Sequence, residues 1–293
     1  MSKRIAVVGV GLMGSSLAGH LLGAGFSVTV HDLDPLKVEA LVKKGAIGAD
    51  APDRIAEAAD VIMLSLPNSH VVNEVVRDTL KLFETGRKGL VVVDTSTPDP
   101  EMSAALAAQL RQRGIEMLDA TISGTSEMFA EKDAIFLVGG KEEVFKACEP
   151  IFSVMSKHAF RMGDNGAGAV TKLVANLVLT LNRMALAEGL TLAKKAGLDR
   201  LQTLEVLKKS AAYSRAMDQK GLRMVNKQFV PPASRLSSSY KDARLILALG
   251  ARLDCPLPLI SLTVQAMASE VSKGRKDWDP ATLISFYDEL ANL

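Results

Sequence analysis

The stretch IAVVGVGLMGSSLAGHLL, Ile5 to Leu22, decides the fold. It opens with a short apolar, β-branched run, passes three glycines spaced G-x-G-x-x-G, and continues with apolar residues at helical intervals. Each glycine has its own physical task. Gly9 allows a tight turn, Gly11 lets the backbone approach a pyrophosphate, and Gly14 lets the helix pack closely on the strand. The N–H groups that begin such a helix have no partner within it and are free for phosphate oxygens. The stretch therefore predicts a strand, a glycine turn and a helix that bind a dinucleotide, with Gly9, Gly11, Leu12, Met13 and Gly14 at the phosphates.

Reading onward, Asp32 ends the run SVTVHD. A carboxylate there accepts ribose hydroxyls and repels a 2′-phosphate, and no arginine stands at this corner, so NAD is expected in preference to NADP. Asp34 is expected to cap a helix starting at Pro35. From Arg4 to about Met162, the strand-like runs IAVVG, SVTVHD, VIMLSLP, LVVVDTS, IEMLDA, IFLVGG and HAFRMG alternate with amphipathic segments. That alternation predicts an α/β domain of the Rossmann type, with a doubly wound, mostly parallel sheet. Val61 to Leu66 and Leu90 to Val93 are apolar without in/out alternation, as suits strands covered on both faces. The runs SLPNSH and DTSTPDP place small polar residues at strand carboxyl ends, where open sheets bind ligands. Leu66, Pro67, Asn68, Ser96 and Thr97 are thus expected beside the nicotinamide. Asn68 and Thr97 read equally well as turn or N-cap residues.

After Gly163 the strand-like runs stop, and helices are expected at Ala169 to Ala196, Leu201 to Lys209, Leu236 to Leu253, Pro258 to Ser272 and Pro280 to Leu290. The expected division is a cofactor-binding domain over 1–163 and an all-helical substrate and oligomerisation domain over 164–293. The first helix, about 40 Å long, joins them. At its start it is apolar nearly all round, which predicts burial, yet Lys172, Asn176 and Thr180 recur every four residues as one polar stripe. Burying an ammonium is costly unless it is paired or deprotonated, and burial lowers a lysine's pKa into the range useful for proton transfer. Lys172 is therefore a candidate general acid/base; periodicity alone equally allows a lysine snorkelling from a domain edge.

The 35 Lys and Arg residues against 33 Asp and Glu leave a formal charge of +2. The basic residues are scattered, which argues against nucleic acid as a partner. Cys148 and Cys255 stand far apart, and His20, His31, His70 and His158 show no ligand spacing, so no metal site is expected. The apolar run Leu173 to Leu181 is too short to span a bilayer, and no membrane association is expected. With a strand starting at Arg4, no signal or transit segment is expected, and the expected location is cytoplasmic.

Four ordered motifs, GVGLMG at the N-terminus, DATISGT at Asp119 to Thr125, GAGAVTKLVAN at Gly166 to Asn176 and YKDARLILALG from Tyr240, resemble the β-hydroxyacid dehydrogenase family over the whole chain. The resemblance implies hydride transfer between NAD(H) and a small β-hydroxy acid or semialdehyde. It makes Lys172 the catalytic lysine and Asn176 the holder of the reacting end. Ser123, Gly124 and Thr125 would bind the substrate carboxylate, and Lys241 and Asp242 match the family's KD pair near the nicotinamide and substrate. A homodimer or homotetramer is implied as well. The chain departs from the family at Thr121 and Thr125, where a proline and a second glycine are usual, and the Thr125 side chain is expected to narrow the carboxylate pocket. Tyr213, Ser214 and Arg215 are candidates for the far end of the substrate, or simply an exposed helix start. Two rival readings are an imine reductase, which commonly lacks the lysine, and a nicotinamide-binding regulatory module without turnover.

Overall fold

The computed structural model describes residues 3–49 and 51–293. By contact the chain divides into two units, the first ending at Lys172 and the second running Leu173–Leu293. The division falls inside a helix, nine residues beyond the expected boundary at Gly163. The reason is local, because the first turns of that helix are tied to the sheet of the first unit by hydrogen bonds to Asp119.

Among the described residues the first unit holds one eight-stranded sheet: β1 (Arg4–Val8), β2 (Ser27–His31), β3 (Ile47–Gly48), β4 (Val61–Leu64), β5 (Val91–Asp94), β6 (Glu116–Ser123), β7 (Ile135–Gly139) and β8 (His158–Gly163). Their spatial order is β3-β2-β1-β4-β5-β6-β7-β8, and every pairing is parallel except β6 with β7. This is the doubly wound Rossmann arrangement, whose order reverses at β1. Two-residue β3 is too short to leave a periodic signal and was not anticipated.

The unbroken apolar runs have a direct cause. Ile5 and Val7 of β1 and Val61 and Met63 of β4 enter one core cluster, while their neighbours Ala6, Val8, Ile62 and Leu64 enter another on the opposite face. Both faces are covered, so both sets of alternate residues are apolar. Helix starts follow local chemistry as well: Asp34 accepts the Leu36 N–H to open Pro35–Val42, and Asp99 accepts from Glu101 and Met102 to open Pro100–Arg111.

The second unit is helical among its described residues. The long helix runs Ala167–Lys195, followed by Arg200–Lys209, Arg215–Val225, Leu236–Arg252, Pro258–Ser272, a short 3₁₀ turn Pro280–Thr282, and Leu283–Leu290. Arg215–Val225 was not among the expected helices, although it begins where Tyr213, Ser214 and Arg215 also read as an exposed helix start. It buries Ala216, Met217, Lys220, Gly221 and Met224, so its inner face carries a lysine and a glycine where apolar residues are sought. Leu173, Met184, Leu236, Ile246, Ile260 and Met267 form one core of this unit, and Leu186, Leu190, Leu204, Met224 and Ile284 another.

Two expectations about the long helix are corrected. It is not buried all round, since Val174 is 52% and Val178 54% exposed. By length and composition its 29 residues are also apolar enough to cross a membrane, which the nine-residue run Leu173 to Leu181 did not suggest. Within this chain, however, Leu173, Met184, Leu186 and Leu190 of this helix build the cores just described.

Candidate active site

The carboxyl ends of β1, β2, β4, β5 and β6 open on one edge of the sheet, as their parallel pairing requires. At the end of β1, Gly9 has φ +85°, and a Cβ on it would lie 2.4 Å from the Ser65 carbonyl oxygen. A Cβ on Gly14 would lie 1.9 Å from the Gly9 oxygen, so helix and turn touch backbone to backbone. Gly11 faces open space. The helix that follows, Leu12–Gly23, has no side-chain cap and no acid in its first turn. Its free N–H groups and positive dipole end suit a phosphate, and the chain's own residues therefore fit a dinucleotide.

Asp32 is more occupied than its position suggests. Its Oδ2 accepts the Val10 N–H at 2.8 Å and its Oδ1 the Asp34 N–H at 2.9 Å, so the carboxylate braces the glycine turn. Lys37 stands 3.6 Å from it, a cation at this corner that spacing did not single out.

Beyond β4 and β5 the polar residues hold one another. Ser96, buried, accepts the Leu66 N–H at 3.0 Å and ties the two strand ends together. Asn68 takes the cap role left open by its sequence: its Oδ1 accepts from His70 at 3.0 Å and Val71 at 3.1 Å. Pro67 is exposed and Thr97 half-buried.

At the end of β6, Ser123 is half-buried and Gly124 exposed at φ +153°, where a Cβ would meet Ala134 at 2.6 Å. Thr125 accepts the Met128 N–H at 3.2 Å and caps the short helix Ser126–Ala130. Thr121 is wholly buried and donates its hydroxyl proton to the Gly168 carbonyl at 3.2 Å, a bond proline could not make. Of the two departures from the family pattern, only Thr125 thus stands at the strand end.

Lys172 closes the first unit, 9% exposed. In the second unit, Asn176 donates from Nδ2 to Asp242 Oδ2 at 3.0 Å, and Lys241 Nζ lies 3.3 Å from Asp242 Oδ1. Lys241 also lines an open cavity of about 470 Å³ with Ser237, Tyr240 and Arg244. Thr180 continues the polar stripe and is buried. Tyr213 donates its phenol proton to Asp218 at 2.6 Å, so this hydroxyl is engaged locally.

Arg183, Asp94 and Asp119 are among the buried charged residues to which the sequence assigned no role. Arg183 follows Lys172 by eleven residues, which returns it to the same helix face; burial lowers its pKa, and its Nε has no hydrogen-bond partner among the described residues. Its spacing was the available signal. Asp94 and Asp119, fully buried at the ends of β5 and in β6, had none, because an aspartate near a strand end usually meets solvent. Burial pushes the Asp94 carboxyl up to about 6, against hydrogen bonds from Ser96, and the neighbouring Asp119 charge adds to the rise. Among the described residues no cluster of three His, Cys, Asp or Glu could hold a metal ion.

A glycine-turn Rossmann sheet with an uncapped helix start and polar strand ends defines a dinucleotide-binding protein. Residues 4–163 match the family model of the NAD binding domain of 6-phosphogluconate dehydrogenase, and residues 166–287 that described as NAD-binding of NADP-dependent 3-hydroxyisobutyrate dehydrogenase. The chain is 30% identical over 292 residues to 2-(hydroxymethyl)glutarate dehydrogenase of Eubacterium barkeri, covering 100% of this chain and 97% of the relative. It is 28% identical over 289 residues to 2-hydroxy-3-oxopropionate reductase of Escherichia coli, covering 99% and 98%. The crystal structure of 3-hydroxyisobutyrate dehydrogenase from Salmonella typhimurium superposes with a TM-score of 0.87 at 26% identity, over 97% of this chain and 99% of the other. The chain belongs to the β-hydroxyacid dehydrogenase family.

Proposed function

We propose that the chain interconverts a small β-hydroxy acid and the corresponding semialdehyde or ketone, with NAD(H) as partner and Lys172 as the proton-transfer group. The observation that carries this reading is the burial of Lys172, an ammonium-bearing side chain only 9% exposed, on the helix seated by the strand that ends in Ser123 and Gly124. An amine so enclosed is shielded from bulk water and can exchange a proton with a hydroxyl held against it.

A bound nicotinamide supplies the hydride acceptor or donor. In oxidation Lys172, neutral, takes the hydroxyl proton as the hydride leaves the same carbon; in reduction the protonated lysine stabilises the carbonyl oxygen and returns the proton. The backbone N–H groups and hydroxyl at Ser123 and Gly124 suit a carboxylate. Asn176, one helical turn beyond Lys172, is the proposed holder of the reacting oxygen, oriented by its bond to Asp242. Asp32 favours NAD, since a 2′-phosphate beside this carboxylate would meet a like charge.

The test is a panel of C3 to C6 hydroxy acids and semialdehydes, followed by NADH absorbance with both cofactors, for the parent and Lys172→Ala. We expect turnover of at least one panel member and a fall of about a thousandfold in the variant, with NADH affinity kept. Turnover by Lys172→Ala within tenfold of the parent rejects the lysine as the proton-transfer group.

A further inference from the structure

Asp119 has no part in the chemistry proposed above, yet both of its carboxyl oxygens are engaged. Its Oδ1 accepts the Gly166 N–H at 2.8 Å and its Oδ2 the Ala169 N–H at 3.0 Å. These donors flank the first turn of the helix Ala167–Lys195, where N–H groups lack intrahelical partners and the dipole favours an anion. The cap comes from a strand some fifty residues earlier in the chain instead of from the residue before the helix.

Gly139 makes the space for this carboxyl, and Gly168 lets the helix backbone close on the strand backbone. Gly139 is the cross-strand partner of Asp119, and a Cβ on it would lie 2.6 and 2.7 Å from the two carboxyl oxygens. A Cβ on Gly168 would lie 2.5 Å from the carbonyl oxygens of both Asp119 and Leu137. The Thr121 hydroxyl, two residues along the same strand, adds its bond to the Gly168 carbonyl. Strand β6 thus grips the first turn through three hydrogen bonds and then ends at Ser123 and Gly124. Lys172 follows three residues after Ala169 in the helix so gripped.

We propose that Asp119 is a positioning residue, its carboxyl admitted by Gly139, which seats the start of the long helix and so sets the place of Lys172 relative to Ser123 and Gly124. This rests on the reading of Lys172 as the proton-transfer group. A misplacement of about 1 Å at a reacting group can cost on the order of a hundredfold in rate, so a seat of this kind acts on kcat before it acts on cofactor binding.

The experiment compares the full-length parent with Asp119→Asn, Gly139→Ala and Lys172→Ala. It measures kcat and KM separately, NADH affinity by fluorescence titration, the thermal melt, and hydrogen exchange of the amides in segment 164–172. Asp119→Asn is near-isosteric but turns a donor toward one of the two N–H groups; Gly139→Ala keeps the carboxyl group but presses a methyl against it and against the Asp164 carbonyl oxygen, shifting the seat. We expect kcat to fall by about ten- to a hundredfold in both, with NADH affinity within about threefold of the parent and faster exchange at Gly166 and Ala169. Should Asp119→Asn fail to fold, the outcome for Gly139→Ala decides. A kcat within twofold of the parent overturns the proposal. So does a fall in kcat without faster exchange, or a parallel loss of kcat, NADH affinity and melting temperature, which marks a residue that only maintains the fold. Turnover that survives Lys172→Ala rejects the lysine reading itself; turnover lost there but kept in the other two rejects only the role of Asp119.

Discussion

Asp94 and Asp119 are register partners on the adjacent parallel strands β5 and β6, and neither exposes any surface to solvent. Two carboxyls so placed disfavour each other's ionisation, and the Asp119 charge adds to the rise that burial imposes on Asp94. Asp119 spends its oxygens on N–H donors, whereas Oδ2 of Asp94 has no hydrogen-bond partner among the described residues. Burial holds Asp94 at about 6, well above the ordinary aspartate value of 3.8, so between those values the folded chain binds more protons than the unfolded one. Stability from this group is therefore present at low pH and lost as pH rises through about 6, by on the order of 2–3 kcal/mol. Asp94→Asn should flatten that dependence. Urea midpoints measured from about pH 3.5 to 7, which spans both values, will show it, and parallel curves for parent and variant would refute the assignment.

Lys220 and Asp279 form an ion pair at 2.7 Å with side chains 2% and 0% exposed. Burial alone would raise the Asp279 carboxyl, but Lys220, Ala281 N–H and Ala233 N–H hold it below the usual range. Removing one member leaves the other charged and without its counter-ion, so Lys220→Met should cost about 3–5 kcal/mol, while the double change to Met and Leu should recover much of that. Chemical denaturation of the three variants tests this. A loss under 1 kcal/mol for Lys220→Met would mean the pair is dispensable.

Cofactor choice should depend on Asp32, and NAD should be used with at least about tenfold greater efficiency than NADP. Because Asp32 also accepts the Val10 N–H, Asp32→Ser should weaken both cofactors while narrowing the gap between them. Kinetics with NAD and NADP on the unaltered chain decide the point, and equal efficiencies defeat it.

Val174, Val178 and Leu192 on the long helix, with Leu259 and Leu262 on Pro258–Ser272, are exposed apolar side chains that a second copy of the chain would cover. We expect assembly into two or four copies. Light scattering at micromolar concentration should return such a mass, and a single-chain mass would contradict it.

The glycine turn was legible in the sequence because its demands are steric and local: Gly9 needs a positive φ, and Gly14 touches the backbone of Gly9. Strand and helix periodicity likewise declared the doubly wound sheet, and the four-residue spacing of Lys172 and Asn176 placed them on one helix face. The helix Arg215–Val225 was hidden by Lys220, a charge whose place in the core depends on Asp279, 59 residues away. Asn68 remained ambiguous until the structure showed which N–H groups its amide accepts.

The sequence by itself determined the class of fold, the turn that meets the dinucleotide and the helix that bears the lysine, since each follows from sterics and periodicity among near neighbours. Only the tertiary structure decided which charges are buried and what satisfies them: Asp119 on the Gly166 and Ala169 amides, Lys220 on Asp279, Asn176 on Asp242. A carboxylate or ammonium gains its energy from desolvation and from partners a few ångströms distant, and in this chain those partners lie roughly 50 to 70 residues away, where no local pattern can announce them.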